Sequence, residues 1–170
     1  RTTLTGEGLQ HADGHSLVLS NTNPAVVSFD PAYGYEVGHI MRSGIERMYG
    51  GHHPDHNVMY YITVYNEPII HPAEPEGTDV DGIVRGIHRV SVAPKGNTPA
   101  QIFASGVAVP WAIEAQRLLA EDWNVSADVW SVTSWSELRR DGLAAERHNF
   151  LHPDDAPRVP YLTEKLVGAE

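Results

Sequence analysis

The stretch NPAVVSFDPAYGYEVGHIMRSGIERMYGG, Asn23 to Gly51, changes its hydrophobic period midway, and that change sets the fold class. In its first eight residues Ala25, Val26, Val27 and Phe29 are nearly continuous, the pattern of a strand buried on both faces in a parallel sheet. Asp30-Pro31 stops the strand. From Ala32 to Tyr49 the residues Tyr33, Val37, Ile40, Met41, Gly44, Ile45 and Met48 recur at steps of three and four, which predicts an amphipathic helix ending at Gly50-Gly51. After the polar loop GGHHPDHN, Val58–Val64 (VMYYITV) reads as a second strand, rich in β-branched and aromatic residues. Strand, helix and strand in that order make a βαβ unit, so the chain is expected to be α/β with mainly parallel sheets.

A second unit follows a change of composition. Between Asn66 and Gly82, Pro68, Pro72 and Pro75 alternate with Glu67, Glu74, Glu76, Asp79 and Asp81 without a sustained period, which reads as an acidic linker. Beyond it, Gly82–Val92 alternates like a strand and Ala100–Ser105 is a short apolar strand. A helix near Pro110 is expected to bury Trp111, Ala115, Leu118 and Leu119. Ala127–Thr133 is a further strand, and Ser134 with Glu137 forms a capping box for a short helix that stops before Gly142.

Composition narrows the function. The 170 residues carry 22 acidic and 12 basic side chains, a formal charge of -10, with no Lys/Arg run, which argues against nucleic acid or an anionic membrane as partner. With no cysteine there is no disulfide, thiolate metal site or Cys nucleophile, a usage that fits a reducing cytoplasm. No run of about 20 apolar residues is present to span a bilayer. The chain opens on Arg1 and enters a motif-dense loop at once, so it is expected to be part of a longer protein.

That loop, TGEGLQHADGHS (Thr5–Ser16), sets Glu7, His11, Asp13 and His15 among three glycines. Glycines permit close approach to a ligand, and histidines change charge near neutral pH. From these residues alone the loop is either a wall of a ligand site or a solvated turn. His52, His53 and His56 fall around Pro54 in a loop rather than on a helix face, so a metal hydrolase is not favoured. Neither Ser134 nor Ser136 lies in a G-x-S-x-G elbow. Trp130 and Trp135 flank a strand end and read as core or interface residues rather than as a stacking platform.

Over its whole length the sequence resembles the homodimeric E1 component of bacterial pyruvate dehydrogenase complexes, a transketolase-like family, and in particular its actinobacterial kind. The likeness is carried in order by RTTLTGEGLQHADGHS, FDPAYGYEVGHIMRSGIERMYG, YYITVYNEP, SADVWSVTSWSELRRDG and LHPDDAPRVPY. It implies two α/β lobes: residues 1–65 as the later part of the pyrimidine-binding middle domain, 66–82 as linker, and 83–170 as the first part of the C-terminal domain. It implies thiamine diphosphate and Mg2+ as cofactors, and pyruvate, a second E1 subunit and a lipoyl-bearing E2 acyltransferase as partners. His11 matches a histidine that holds and protonates intermediates, Glu7 an acidic residue of the same loop, and His15 is a third candidate. Where a transketolase has G-E-D-G-P-T-H, Leu17 stands in place of the last histidine, which separates this chain from sugar-phosphate transfer. The family's G-D-G metal motif is not matched, since Asp13-Gly14, Asp81-Gly82 and Asp141-Gly142 all lack the preceding glycine. The chain is therefore expected either to furnish one wall of a pyruvate-decarboxylating site in a larger protein or, alone, to act as an inert structural or oligomerisation module.

Overall fold

The computed structural model describes Gln10 and residues 13–52, 54–65 and 68–166. Among these the elements run α1 (Ser16–Ser20), β1 (Val26–Phe29), α2 (Gly34–Tyr49), β2 (Met59–Ile62), α3 (Val80–Arg85), β3 (His88–Ser91), β4 (Thr98–Ala104), α4 (Ala108–Trp123), β5 (Val125–Ser131), α5 (Trp135–Leu151) and α6 (Tyr161–Leu166). Strands β1 and β2 pair in parallel, from Val26 opposite Met59 to Phe29 opposite Ile62. The second sheet has the order β3-β5-β4, with β4 parallel and β3 antiparallel to the central β5. Two of the three pairings are thus parallel, and the antiparallel strand sits at an edge, as mixed α/β sheets commonly arrange it.

The predicted first unit forms as expected. All four residues of β1 are buried, and α2 turns Ile40 and Gly44 inward, Gly44 lying against the Tyr60 ring. Met41 and Ile45, also in the predicted apolar set, are about half exposed.

The second half departs from the periodicity reading in three places. Gly82–Val92 is not one strand, because Asp79 caps α3 by accepting the Gly82 N–H at 3.0 Å and Gly86 ends the helix with φ 114°. A Cβ at Gly86 would lie 2.7 Å from the Ser134 carbonyl oxygen, so the turn requires glycine twice over. The buried face of α4 is Val109, Ala112 and Gln116, whereas Trp111 and Leu118 are exposed. Gln116 takes a core position because its amide is satisfied there: it donates to the carbonyls of Val92 (3.1 Å) and Ala127 (2.7 Å) and accepts from the Ser91 hydroxyl (2.7 Å). Helix α5 runs through Gly142 to Leu151, since Gly142 does not adopt the positive φ of a helix-ending glycine. Ser134 does cap α5, accepting from the Glu137 N–H at 3.2 Å, but the Glu137 carboxylate turns to Arg140 rather than back to the cap. Trp130 is buried as expected, and Trp135 is about half exposed with its indole N–H on the Ser105 hydroxyl.

The two sheets share their cores. Ala32 and Tyr33 pack with Ala104, Val109 and Val129 beneath α4, and Ile83 of α3 packs with Phe29 and Ile40. On the other face of the second sheet, Ile87, Trp130, Val132, Leu138 and Tyr161 enclose a third cluster. None of the helices in the described residues is long and apolar enough to cross a membrane.

Candidate active site

Where β1 stops, Asp30 joins the two sheets. Its backbone N–H donates to the Thr133 carbonyl at 2.7 Å, and its own carbonyl accepts from the Gly106 N–H at 3.1 Å. Its carboxylate accepts from the Thr63 hydroxyl at 2.5 Å and from the Tyr65 hydroxyl, which places the ends of β1 and β2 and the β4–α4 turn around one buried acid. Gly106 makes that approach possible: its φ is 53°, and a Cβ there would overlap the Tyr65 hydroxyl. Sequence reading took Asp30-Pro31 only as a strand stop. The position of an acid at the carboxyl end of a buried α/β strand, where ligand sites gather, was the available signal.

A cleft of about 490 Å³ opens beside Asp30. One wall is Gly14 and Leu17, the other Trp135 and Arg139 of α5, and Ser28 with Asp30 lies between them. The segment leaving the Gly/His loop therefore faces the carboxyl ends of strands from both sheets. His15 stands at the N-cap of α1 with an exposed side chain, and its N–H is bound by the Asp13 carboxylate. Glu7 and His11 lie outside the described residues, and His15, the one described candidate of the three, follows Gly14 of the cleft wall but is not itself among the lining residues.

A larger hollow of about 600 Å³ lies over β3, bordered by Tyr35, His88, Arg89, Asp128 and Lys165. Its charges are already used within the chain. Arg89 pairs with Asp128 at 3.2 Å and Lys165 with Asp79 at 2.6 Å. Burial opposes the charged form of Asp79, yet the Lys165 ammonium and the Gly82 N–H outweigh it and hold the carboxyl below its ordinary range. Burial, reinforced by Glu36, pushes the Tyr35 phenol up, so it stays protonated. At the base, His88 Nε2 lies 2.7 Å from Glu36 Oε1, both side chains almost wholly buried. Glu36 Oε2 accepts from the N–H groups of Ala32 (2.5 Å) and Tyr33 (3.1 Å), capping α2. This pair, absent from the sequence reading, is structural: every oxygen of Glu36 is engaged. The smaller cleft is the better candidate for chemistry.

Of the histidine-rich loop, His53 lies outside the described residues, and His56 packs its ring near Tyr49. Among the described residues no group of three His, Asp or Glu side chains is placed to hold a metal ion.

Comparison with known proteins agrees with this layout. Residues 1–72 match the profile described as pyruvate dehydrogenase E1 component middle domain, and residues 86–166 the one described as transketolase-like TK C-terminal domain. Pyruvate dehydrogenase E1 components of Mycolicibacterium smegmatis and Mycobacterium tuberculosis are 56% and 57% identical over 170 residues, 99% of this chain and 18% of each relative. That of Escherichia coli K12 is 49% identical over 169 residues, 99% of this chain and 19% of the relative. The chain thus spans less than a fifth of the length of these relatives. A Pichia stipitis transketolase crystallised with sedoheptulose-7-phosphate superposes with a TM-score of 0.55 at 20% identity, over 75% of this chain and 17% of that one, a likeness of fold alone. With two ordered domain matches and sequence identity running from end to end, the chain belongs to the transketolase-like family of pyruvate dehydrogenase E1 components, as a segment across its middle and C-terminal domains.

Proposed function

We propose that this chain forms one wall of the active site of a pyruvate dehydrogenase E1 that uses thiamine diphosphate and Mg2+. Pyruvate loses CO2, and its acetyl carbon is passed to the lipoyl group of an E2 acyltransferase, whose disulfide is reduced as one sulfur takes the acetyl group. The observation that carries this reading is the end-to-end identity of 56% and 57% to two such components, which includes the Gly/His loop. We propose the same division as the sequence suggested: residues 1–65 to the middle domain, 66–82 to the linker, 83–170 to the C-terminal domain. A second E1 subunit is the proposed dimer partner, and the cytoplasm the proposed location.

Among the described residues no cluster of three His, Asp or Glu side chains is placed to hold Mg2+. Thiamine diphosphate, when bound, provides the carbon nucleophile and the electron sink for decarboxylation. What this chain supplies is proton handling. His11 is proposed to donate a proton where negative charge develops on the substrate oxygen, with Glu7 as an acidic residue of the same loop and His15, at the start of α1, as a third candidate. General acid catalysis of this kind is worth about 10²–10⁴-fold in rate. In the full-length enzyme, His11→Ala is expected to lower both pyruvate decarboxylation and lipoyl acetylation by a factor in that range without changing the melting temperature. Wild-type rates in both assays would remove His11 from the site.

A further inference from the structure

The cleft beside Asp30, of about 490 Å³, has room for a ligand far larger than a three-carbon 2-oxo acid. Most polar groups along it are already satisfied within the chain. The Ser28 and Ser136 hydroxyls lie 2.6 Å apart, the Ser134 hydroxyl donates to the Ser28 carbonyl at 2.6 Å, and the Thr133 hydroxyl donates to the Ile83 carbonyl at 2.7 Å. The Asp30 carboxylate is taken by Thr63 and Tyr65. Two groups remain. Asn21 Oδ1 is buried with no hydrogen-bond partner among the described residues, so it keeps its desolvation penalty until a donor reaches it. The Arg139 guanidinium, at an exposed position on the cleft wall, forms neither a hydrogen bond nor an ion pair with any described residue. The other lining is apolar: Leu17 and Val18 of α1, and Trp135, which is about half exposed with its indole N–H fixed on the Ser105 hydroxyl at 2.8 Å. Leu17 stands where the transketolase pattern ends in histidine, so the wall is apolar at a position that is polar in an enzyme acting on sugar phosphates.

We propose that this cleft receives the lipoyl arm of the E2 acyltransferase. That arm is a dithiolane ring on an alkyl chain, joined to a lysine through one amide. Its methylenes match Leu17, Val18 and the Trp135 ring. Its amide carries both functions the cleft calls for, an N–H to donate to Asn21 Oδ1 and a carbonyl to accept from Arg139. Pyruvate has no N–H to offer and fills little of the volume. Asn21 and Arg139 are thus specificity residues for the acyl acceptor: they bind the second substrate and transfer no proton. The inference deepens the proposed transfer of the acetyl group to E2 and rests on it.

The test uses the full-length enzyme and measures KM for free lipoamide and for pyruvate in lipoyl acetylation. Asn21→Leu removes the acceptor at a position whose φ of -69° imposes no backbone strain on the new residue. This variant and Arg139→Ala are each expected to raise KM for lipoamide about three- to tenfold, well beyond any change in KM for pyruvate. Asn21→Asp, which keeps an acceptor oxygen, is expected to recover most of the loss. The methyl ester of lipoic acid, which lacks the N–H, is expected to show a raised KM with the parent enzyme and no response to Asn21→Leu. An unchanged KM for lipoamide in both variants overturns this site while the transfer to E2 stands. An equal rise in KM for pyruvate overturns it too, since the cleft then belongs to the 2-oxo acid. Failure of the parent enzyme itself to acetylate lipoamide removes the reading beneath instead. Should Asn21→Leu not fold, Arg139→Ala at its exposed position carries the same outcomes.

Discussion

The two halves of the molecule bury their strands by different means. In the second half, β5 is paired on both sides and covered on opposite faces by α4 and α5, so its core of Val129, Trp130 and Val132 is enclosed largely by its own elements. In the first half β1 has one strand partner, yet all four of its residues are buried, because α5 and the turn before it close over its end. There the hydroxyls of Ser134 and Ser136 donate to the Ser28 carbonyl, at 2.6 and 3.2 Å. Arg140 donates to the carbonyl of Val26 at 2.8 Å. The first half thus borrows burial from the second, and the candidate cleft lies along the loan.

Three substitutions probe that dependence, in falling order of effect. His88→Ala leaves the buried Glu36 Oε1 without its hydrogen-bond partner and opens a cavity at the seam, which together cost about 3–5 kcal/mol. Tm should fall by about 10 °C or more, and hydrogen exchange in β1 and β2 should speed up. Unchanged exchange in those strands would show that the first half stands by itself. Gly106→Ala forces a left-handed backbone on a residue with a Cβ and drives it into the Tyr65 hydroxyl, for about 1–3 kcal/mol; adding Tyr65→Phe should return part of that, as read by denaturant midpoint. Lys165→Ala touches only the second half. Asp79, held below its ordinary range in the folded chain, adds stability above the unfolded carboxylate pKa of about 3.9. That stability is lost as pH falls through the folded value. The variant should therefore differ from the parent at neutral pH by well under 1 kcal/mol, given the pair's partial exposure, and converge with it in acid. Exchange in β1 and β2 should not respond.

What was legible in the sequence was whatever local period and local chemistry decide. The buried run of β1, the helix of α2, the Ser134 cap and the break at Gly86 leave marks within a few residues, although the last was read as part of a strand. Gln116 shows where periodicity misleads: hydrophobic pattern placed α4 with Trp111 inward, and a polar side chain won the core position because three partners from β3, its following loop and β5 await it. The place of Asp30 at a strand end was legible, but its partner Thr63 and the Glu36–His88 pairing were not, because those partners are 33 and 52 residues away and no periodic signal couples such distances. At the candidate cleft, Gly14 belongs to a loop that residue type singles out, whereas the opposite wall of Trp135 and Arg139 emerges only when the sheets abut.

The bridging of Asp30 to both Thr133 and Gly106 has a consequence for the proline-rich connection. Because the seam fixes the two ends of that connection, its length is nearly free to drift: doubling a flexible loop adds only about 0.6 kcal/mol of closure entropy. Its residues from His71 to Gly77 are exposed and tied to the first half by surface contacts, the Gly34 N–H on His71 Nδ1 and His39 against Glu74, so insertions there disturb no core packing. The joint can therefore be lengthened or recomposed while the cleft keeps its shape.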